Sequence, residues 1–183
     1  MMVKTPHEII DCLSPADALS ILKALARSDE GLAQRIAEIA MAHLGDVDSE
    51  EVAAVLYDQL DALEVEEVWD RAGPTRHGYV EPGEAADQMI EEVLAPFLEE
   101  LTKYQRIGMN TEANRMCKGL LLGLYRFKCE STSEFKDWAP DAPIIFAETV
   151  VDAWKAGSPG RADIAVVKAF VEDELSGWGA RLI

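Results

Sequence analysis

Histidine, cysteine and paired carboxylates are the side chains that most often do chemistry, and here their spacing gives them little to do together. None of His7, His43 and His77 sits three to five residues from another histidine or from Cys12, Cys117 or Cys129 in a way that builds a metal site. The close Cys and His spacings of a zinc site are therefore missing. Carboxylates abound, but Glu50–Glu51, Glu66–Glu67, Glu91–Glu92 and Glu99–Glu100 are sequence neighbours, and adjacent residues of a helix point in different directions. Acid–base catalysis needs two carboxyl groups converging in a cleft with divergent environments. Glu84, Asp87 and Glu91 do stack along one helix face. A di-metal bundle would also want a Glu-x-x-His on another helix, and the sequence has none, so a solvated face is expected. Gly157-Ser-Pro-Gly-Arg161 lacks the Lys-Ser/Thr of a phosphate loop and follows a helix. No catalytic residue, metal ligand or cofactor is expected from these patterns. Catalysis by residues that meet only in three dimensions stays open.

Charge is more informative. The chain of 183 residues carries 34 acidic and 17 basic side chains, a formal net charge of −17. So acidic a chain repels phosphate backbones and anionic lipid, which argues against nucleic-acid and membrane binding. The charge is uneven. Residues 46–70 hold ten acids and no Lys or Arg, whereas residues 101–130 hold Lys103, Arg106, Arg115, Lys118, Arg126 and Lys128 against Glu112 and Glu130. Beside Tyr104, such cations would suit a groove for an acidic peptide. They would equally serve as ion-pair partners for the protein's own acidic helices.

The elements that must position these residues read as helices throughout. Thr5-Pro6 and Ser14-Pro15 place a capping hydroxyl before a proline suited to the first helical turn. Leu19, Leu22, Leu25 and Ala26 then line one face to about Arg27. Asp29 caps a helix whose face carries Leu32, Ile36, Ile39, Ala40 and His43, ended by Gly45. A helix from Ser49 turns Val52, Val55, Leu56, Leu60 and Leu63 inward, and another turn or two carries Trp69. Residues 73–83 form a long loop rich in turn formers, with Arg76, His77 and Tyr79 as a possible lid or binding edge. A helix from about Gly83 to Ile107 contains Pro96, where a kink near Glu92 or a break is expected. Asn110 or Thr111 caps a helix to about Cys129 with a wide apolar arc, which places it centrally. Gly119 and Gly123, one turn apart inside it, mark a close helix crossing or a ligand approaching bare backbone. Helices over about 142–156 and 161–176 precede a tail with Trp178, which folds back or docks on a neighbour. Trp69, Trp138 and Trp154 read as core or inter-helix anchors.

These patterns give an all-α fold of about seven main helices in a single domain over 1–183, built as stacked antiparallel hairpins that form either a superhelix or an irregular bundle. Three dispersed cysteines suit reduced, buried thiols, and no signal peptide or spanning segment is readable; a cytoplasmic protein is expected.

The stretch Phe97…Tyr104…Gly108…Ala113 resembles a tetratricopeptide helical hairpin in the order and spacing of its bulky, tyrosine, glycine and alanine positions. Leu120 and Tyr125 depart from that pattern, and no second copy follows at a fixed period. The stretch from Phe97 to Tyr125 is also similar to the helical regions accompanying SWIM-type zinc fingers, though the zinc motif itself is absent here. Both resemblances imply helical hairpins whose usual work is holding another protein. The expectation is a non-enzymatic scaffold binding a protein or acidic peptide through Tyr104, Arg106, Arg115 and Lys118, with Arg76, His77 and Tyr79 as the second candidate surface. The alternatives are a small-ligand or enzymatic domain with the 73–83 loop as lid, and a structural homo-oligomer.

Overall fold

The computed structural model describes residues 5–76 and 78–182. It is all-α: eight helices of at least seven residues, with short helices at either end and one two-stranded sheet, among the described residues. The chain divides into two compact units, Met1–Asp46 and Val47–Ile183, where the sequence suggested one.

The first unit holds α1 (Pro6–Ile10), α2 (Pro15–Ser28) and α3 (Glu30–Leu44). Their starts follow the expected caps. Thr5 and Glu8 form a reciprocal capping box, Ser14 Oγ accepts from the Asp17 amide at 3.2 Å, and Asp29 Oδ1 accepts from the Leu32 amide at 3.1 Å. Asp29 alone separates α2 from α3, closing one helix and opening the next. None of the three helices contains a buried residue. His43, expected on a core face, is exposed, as is Cys12.

The second unit is built round one helix. It comprises α4 (Ser49–Asp61), α5 (Val65–Arg71), β1 (Gly73–Thr75), β2 (Gly78–Val80), α6 (Pro82–Arg106), α7 (Asn110–Glu130), a 3-10 turn (Glu134–Trp138), α8 (Ala142–Ala156), α9 (Arg161–Glu174) and α10 (Gly179–Leu182). The arc of α7 is wide because α4, α6, α8 and α9 all pack on it. Leu120, Leu121, Leu124 and Phe127 are fully enclosed, and the Cys117 thiol is pushed far up by burial. Cys129, by contrast, is exposed.

Gly119 and Gly123 are where α4 comes closest. A Cβ on Gly119 would stand 2.7 Å from the Ser49 carbonyl oxygen and from Val52 Cβ; on Gly123, 2.9 Å from the Ala53 oxygen. The two glycines thus meet successive turns of α4, which runs alongside α7 in the same direction. Ser49 Oγ donates to the Arg115 carbonyl at 2.9 Å at one end, and Ser131 Oγ donates to Asp61 at 2.6 Å at the other. The close helix crossing is the correct reading of this pair; the bare backbone faces α4 and not a ligand.

Three local expectations change. Residues 73–83 are not a plain loop: β1 and β2 pair antiparallel with Pro74 opposite Tyr79, and α6 begins at Pro82. Gly73 and Gly78 have φ of +119° and +139°, which L side chains rarely adopt. Pro96 does not break α6, which runs unbroken for 25 residues. The α7 N-cap is Met109, reached through Gly108 at φ +75°, and no side chain caps it. The tail folds back, with Trp178 buried edge-on to Tyr125 at 5.2 Å and Arg181 paired with Glu148.

Candidate functional site

The hairpin of α6 and α7 carries the cations that the sequence singled out, and the fold disperses them. Tyr104 is 6% exposed. Its ring lies under Lys103 Nζ at 5.5 Å, and its phenol is pushed up to about 12, chiefly by burial and then by its hydrogen bond to Glu100. That environment makes Tyr104 a support of the hairpin and not a ring offered to a partner. Lys118 is half-buried, with Nζ 5.6 Å from the Phe170 ring centre on α9. Lys103 pairs with Glu100 at 2.6 Å, Arg126 with Glu50 at 2.8 Å, and Lys128 reaches the Pro140 carbonyl at 3.4 Å. Much of the basic cluster is therefore spent inside the fold.

Arg106 and Arg115 are the exceptions. Both are exposed, and neither has an ion-pair partner among the described residues. Arg106, the last residue of α6, lines two open clefts. One, about 770 Å³, is an open surface of α6 itself, with Pro96, Glu99, Glu100, Lys103 and Arg106 among its lining residues, all on that helix. The other, about 360 Å³, lies between α6 and α8 beside Thr102, Ala153 and Ala156. No comparison with protein-family models, curated proteins or solved structures gives a match.

The second candidate surface is the β-hairpin. Arg76 is exposed and Tyr79 is 62% exposed; His77 lies outside the described residues. Beside it, Trp69 is 54% exposed and meets Trp138 edge-on at 4.7 Å, so it anchors one neighbour but remains half in solvent, unlike the buried Trp154.

A polar cluster escaped the sequence reading. Asn114, on α7, donates to Asp163 on α9 at 2.5 Å and accepts from the Trp154 indole on α8 at 2.9 Å. Asp163 also accepts from the Gly160 amide, capping α9, and Gln105 of α6 donates to the carbonyls of Ala153 and Trp154. The cluster clasps four helices. Its only signal in the sequence is an asparagine on an apolar arc. Glu84, Asp87 and Glu91 are exposed along α6, the solvated face expected of them. No group of three or more His, Cys, Asp or Glu able to hold a metal occurs among the described residues. No described helix is long and apolar enough to cross a membrane.

Proposed function

We propose that this chain is a non-enzymatic helical scaffold that binds a protein or acidic peptide partner through the α6 surface around Arg106. The observation that carries the reading is an exposed guanidinium without an internal partner, placed where two open clefts meet. A planar, permanently charged fork takes up a carboxylate with two parallel hydrogen bonds. Glu99 and the Glu100–Lys103 pair precede Arg106 along this face, so a bound acidic segment would be held at the Arg106 end and repelled by Glu99, which fixes its register. Arg115 adds a second cation on the neighbouring helix, while Tyr104 holds the hairpin from inside.

The test uses labelled peptides of graded acidic content, read by fluorescence polarisation against the full chain. Arg106→Glu should abolish binding of the acidic peptides and leave the melting temperature unchanged, because the side chain breaks no internal pair. Equal binding of neutral and acidic peptides, or unchanged binding to the variant, would exclude this surface. The alternative of a small-ligand or enzymatic domain with the 73–83 segment as lid draws less support, since α4 covers Gly119 and Gly123, where a ligand would have met bare backbone.

A further inference from the structure

The cleft between α6 and α8 is lined by Thr102, Gln105, Arg106, Ala153, Ala156 and Gly157. The two helices close on each other at Gly157, where an added Cβ would collide with the Gln105 side chain. On the α8 wall stand Ala153 and Ala156, and on the α6 wall Thr102 and Arg106; the alanine methyls are too short to fill the space, about 360 Å³, that is left. We propose that this cleft takes an aliphatic side chain of the partner, close in sequence to the acidic residue that pairs with Arg106. The inference rests on the reading of Arg106 as the acidic-peptide contact, and it adds the class of residue that accompanies the acid.

Three properties of the cleft select that chemistry. The first is that the polar donors of its walls, Arg106 apart, are already engaged. Gln105 Nε2 donates to the Ala153 and Trp154 carbonyls at 3.1 and 2.9 Å, and Thr102 Oγ1 donates to the Leu98 carbonyl at 2.8 Å. A polar group entering here gives up water and finds few partners in return, which costs free energy. The second is the field. Helices α6 and α8 both end at this cleft, at Arg106 and Ala156, so their last carbonyls turn partial negative charge towards it. That charge keeps a carboxylate off the floor and leaves the floor to an uncharged group. The acid is held at the mouth instead, by the exposed Arg106 guanidinium, and Lys155 adds positive charge at the same end of α8. The third is size. The cleft lies at the lower end of the roughly 300–1,000 Å³ of small-molecule sites and is open to solvent, so it suits one side chain of a segment laid across it and not an enclosed ligand. An acidic residue alone occupies only the mouth. One accompanied by leucine, isoleucine or valine also covers the alanine methyls and takes their surface out of water.

The experiment is fluorescence polarisation on the full chain with one labelled acidic peptide, in which leucine, or asparagine of similar size, replaces each position in turn. At the position that meets the cleft, the leucine peptide should bind wild type about tenfold more tightly than its asparagine counterpart, the share of a leucine's burial that an open cleft returns. Ala156→Gln puts a longer polar side chain into the cleft at small cost in helix propensity. It should bind the leucine peptide only as well as the asparagine one, with an unchanged melting temperature. Arg106→Glu should lose both series. Leucine and asparagine peptides bound alike by wild type, with binding still lost in Arg106→Glu, overturn the cleft inference and leave the acidic-peptide reading standing. A leucine preference that survives in Ala156→Gln overturns it too, because the apolar contact would lie elsewhere. Acidic peptides ignored by wild type, or held equally by Arg106→Glu, remove the parent reading and this inference with it. The leucine–asparagine comparison is made on wild type, so a misfolded variant cannot hide its result.

Discussion

An alanine at Gly119 would set its Cβ 2.7 Å from the Ser49 carbonyl oxygen, a backbone atom that yields only if α4 moves. Against that clash stands a gain of about 1 kcal/mol in helix propensity. Overpacking costs about 1–3 kcal/mol or more, so the clash wins. Gly119→Ala should therefore lower unfolding free energy by about 1–2 kcal/mol in a urea titration; a stabilised variant would mean the crossing is looser than its geometry. Asn114→Ala should cost about 1–3 kcal/mol by stranding the Trp154 indole N–H and one Asp163 oxygen bond. Tyr104 supplies a pH signature. Its phenol ionises near 10.0 when unfolded and near 12 when folded, so the folded state holds the proton more tightly. The resulting stability is fully present below pH 10 and is lost as pH rises towards 12. Thermal melts across that range should show a decline that Tyr104→Phe reduces, beside the contributions of Tyr57 and Tyr125, whose phenols are also raised. The glycine pair was legible in the sequence because its propensity cost demanded a packing reason. The burial of Tyr104 was not: a tyrosine beside cations looks the same from inside and from outside until the neighbouring Glu100 and Lys103 are placed.

Individual helices follow their sequence signals closely at their starts, where capping is local, and less closely where tertiary packing decides. Thr5, Ser14 and Asp29 all cap as their types require, and the apolar arc of α7 foretells its four neighbours. The β-hairpin is not legible in the sequence because three-residue strands are too short to show alternation, and two of its strand positions are glycines at positive φ. The α6 helix continues through Pro96, which has no amide N–H and leaves the Glu92 carbonyl without its helical donor. Pro96 is exposed, so the freed carbonyl meets water and the helix survives, held on its other face by Met89, Ile90, Leu94 and Leu101. Pro96→Ala should accordingly stabilise the protein by about 1–3 kcal/mol, restoring one backbone bond, as seen in the urea midpoint. A neutral result would indicate that α6 already bends to relieve the clash.

At the scale of the whole molecule, stability should be unevenly distributed, because burial is. Every large aliphatic side chain in the fully enclosed set belongs to the unit from Val47 onward, and α7 supplies four of the enclosed core residues named above. In contrast, α1, α2 and α3 contribute none. The boundary was hard to read in the sequence, since the helices on both sides share one apolar period, and periodicity records which side of a helix is apolar but not what covers it. Opening free energies scale with what opening exposes, so a segment with no buried side chain opens at little cost when alone. In dilute solution, amides of α2 and α3 should exchange within the fast end of the native range, while those of α7 should exchange only through global unfolding. Hydrogen–deuterium exchange followed by mass spectrometry resolves the two segments directly. Equal protection of α2 and α7 in the dilute chain would mean that the apolar stripes of the first unit are already covered within a single molecule, and the two-unit description of its stability would fall with that result.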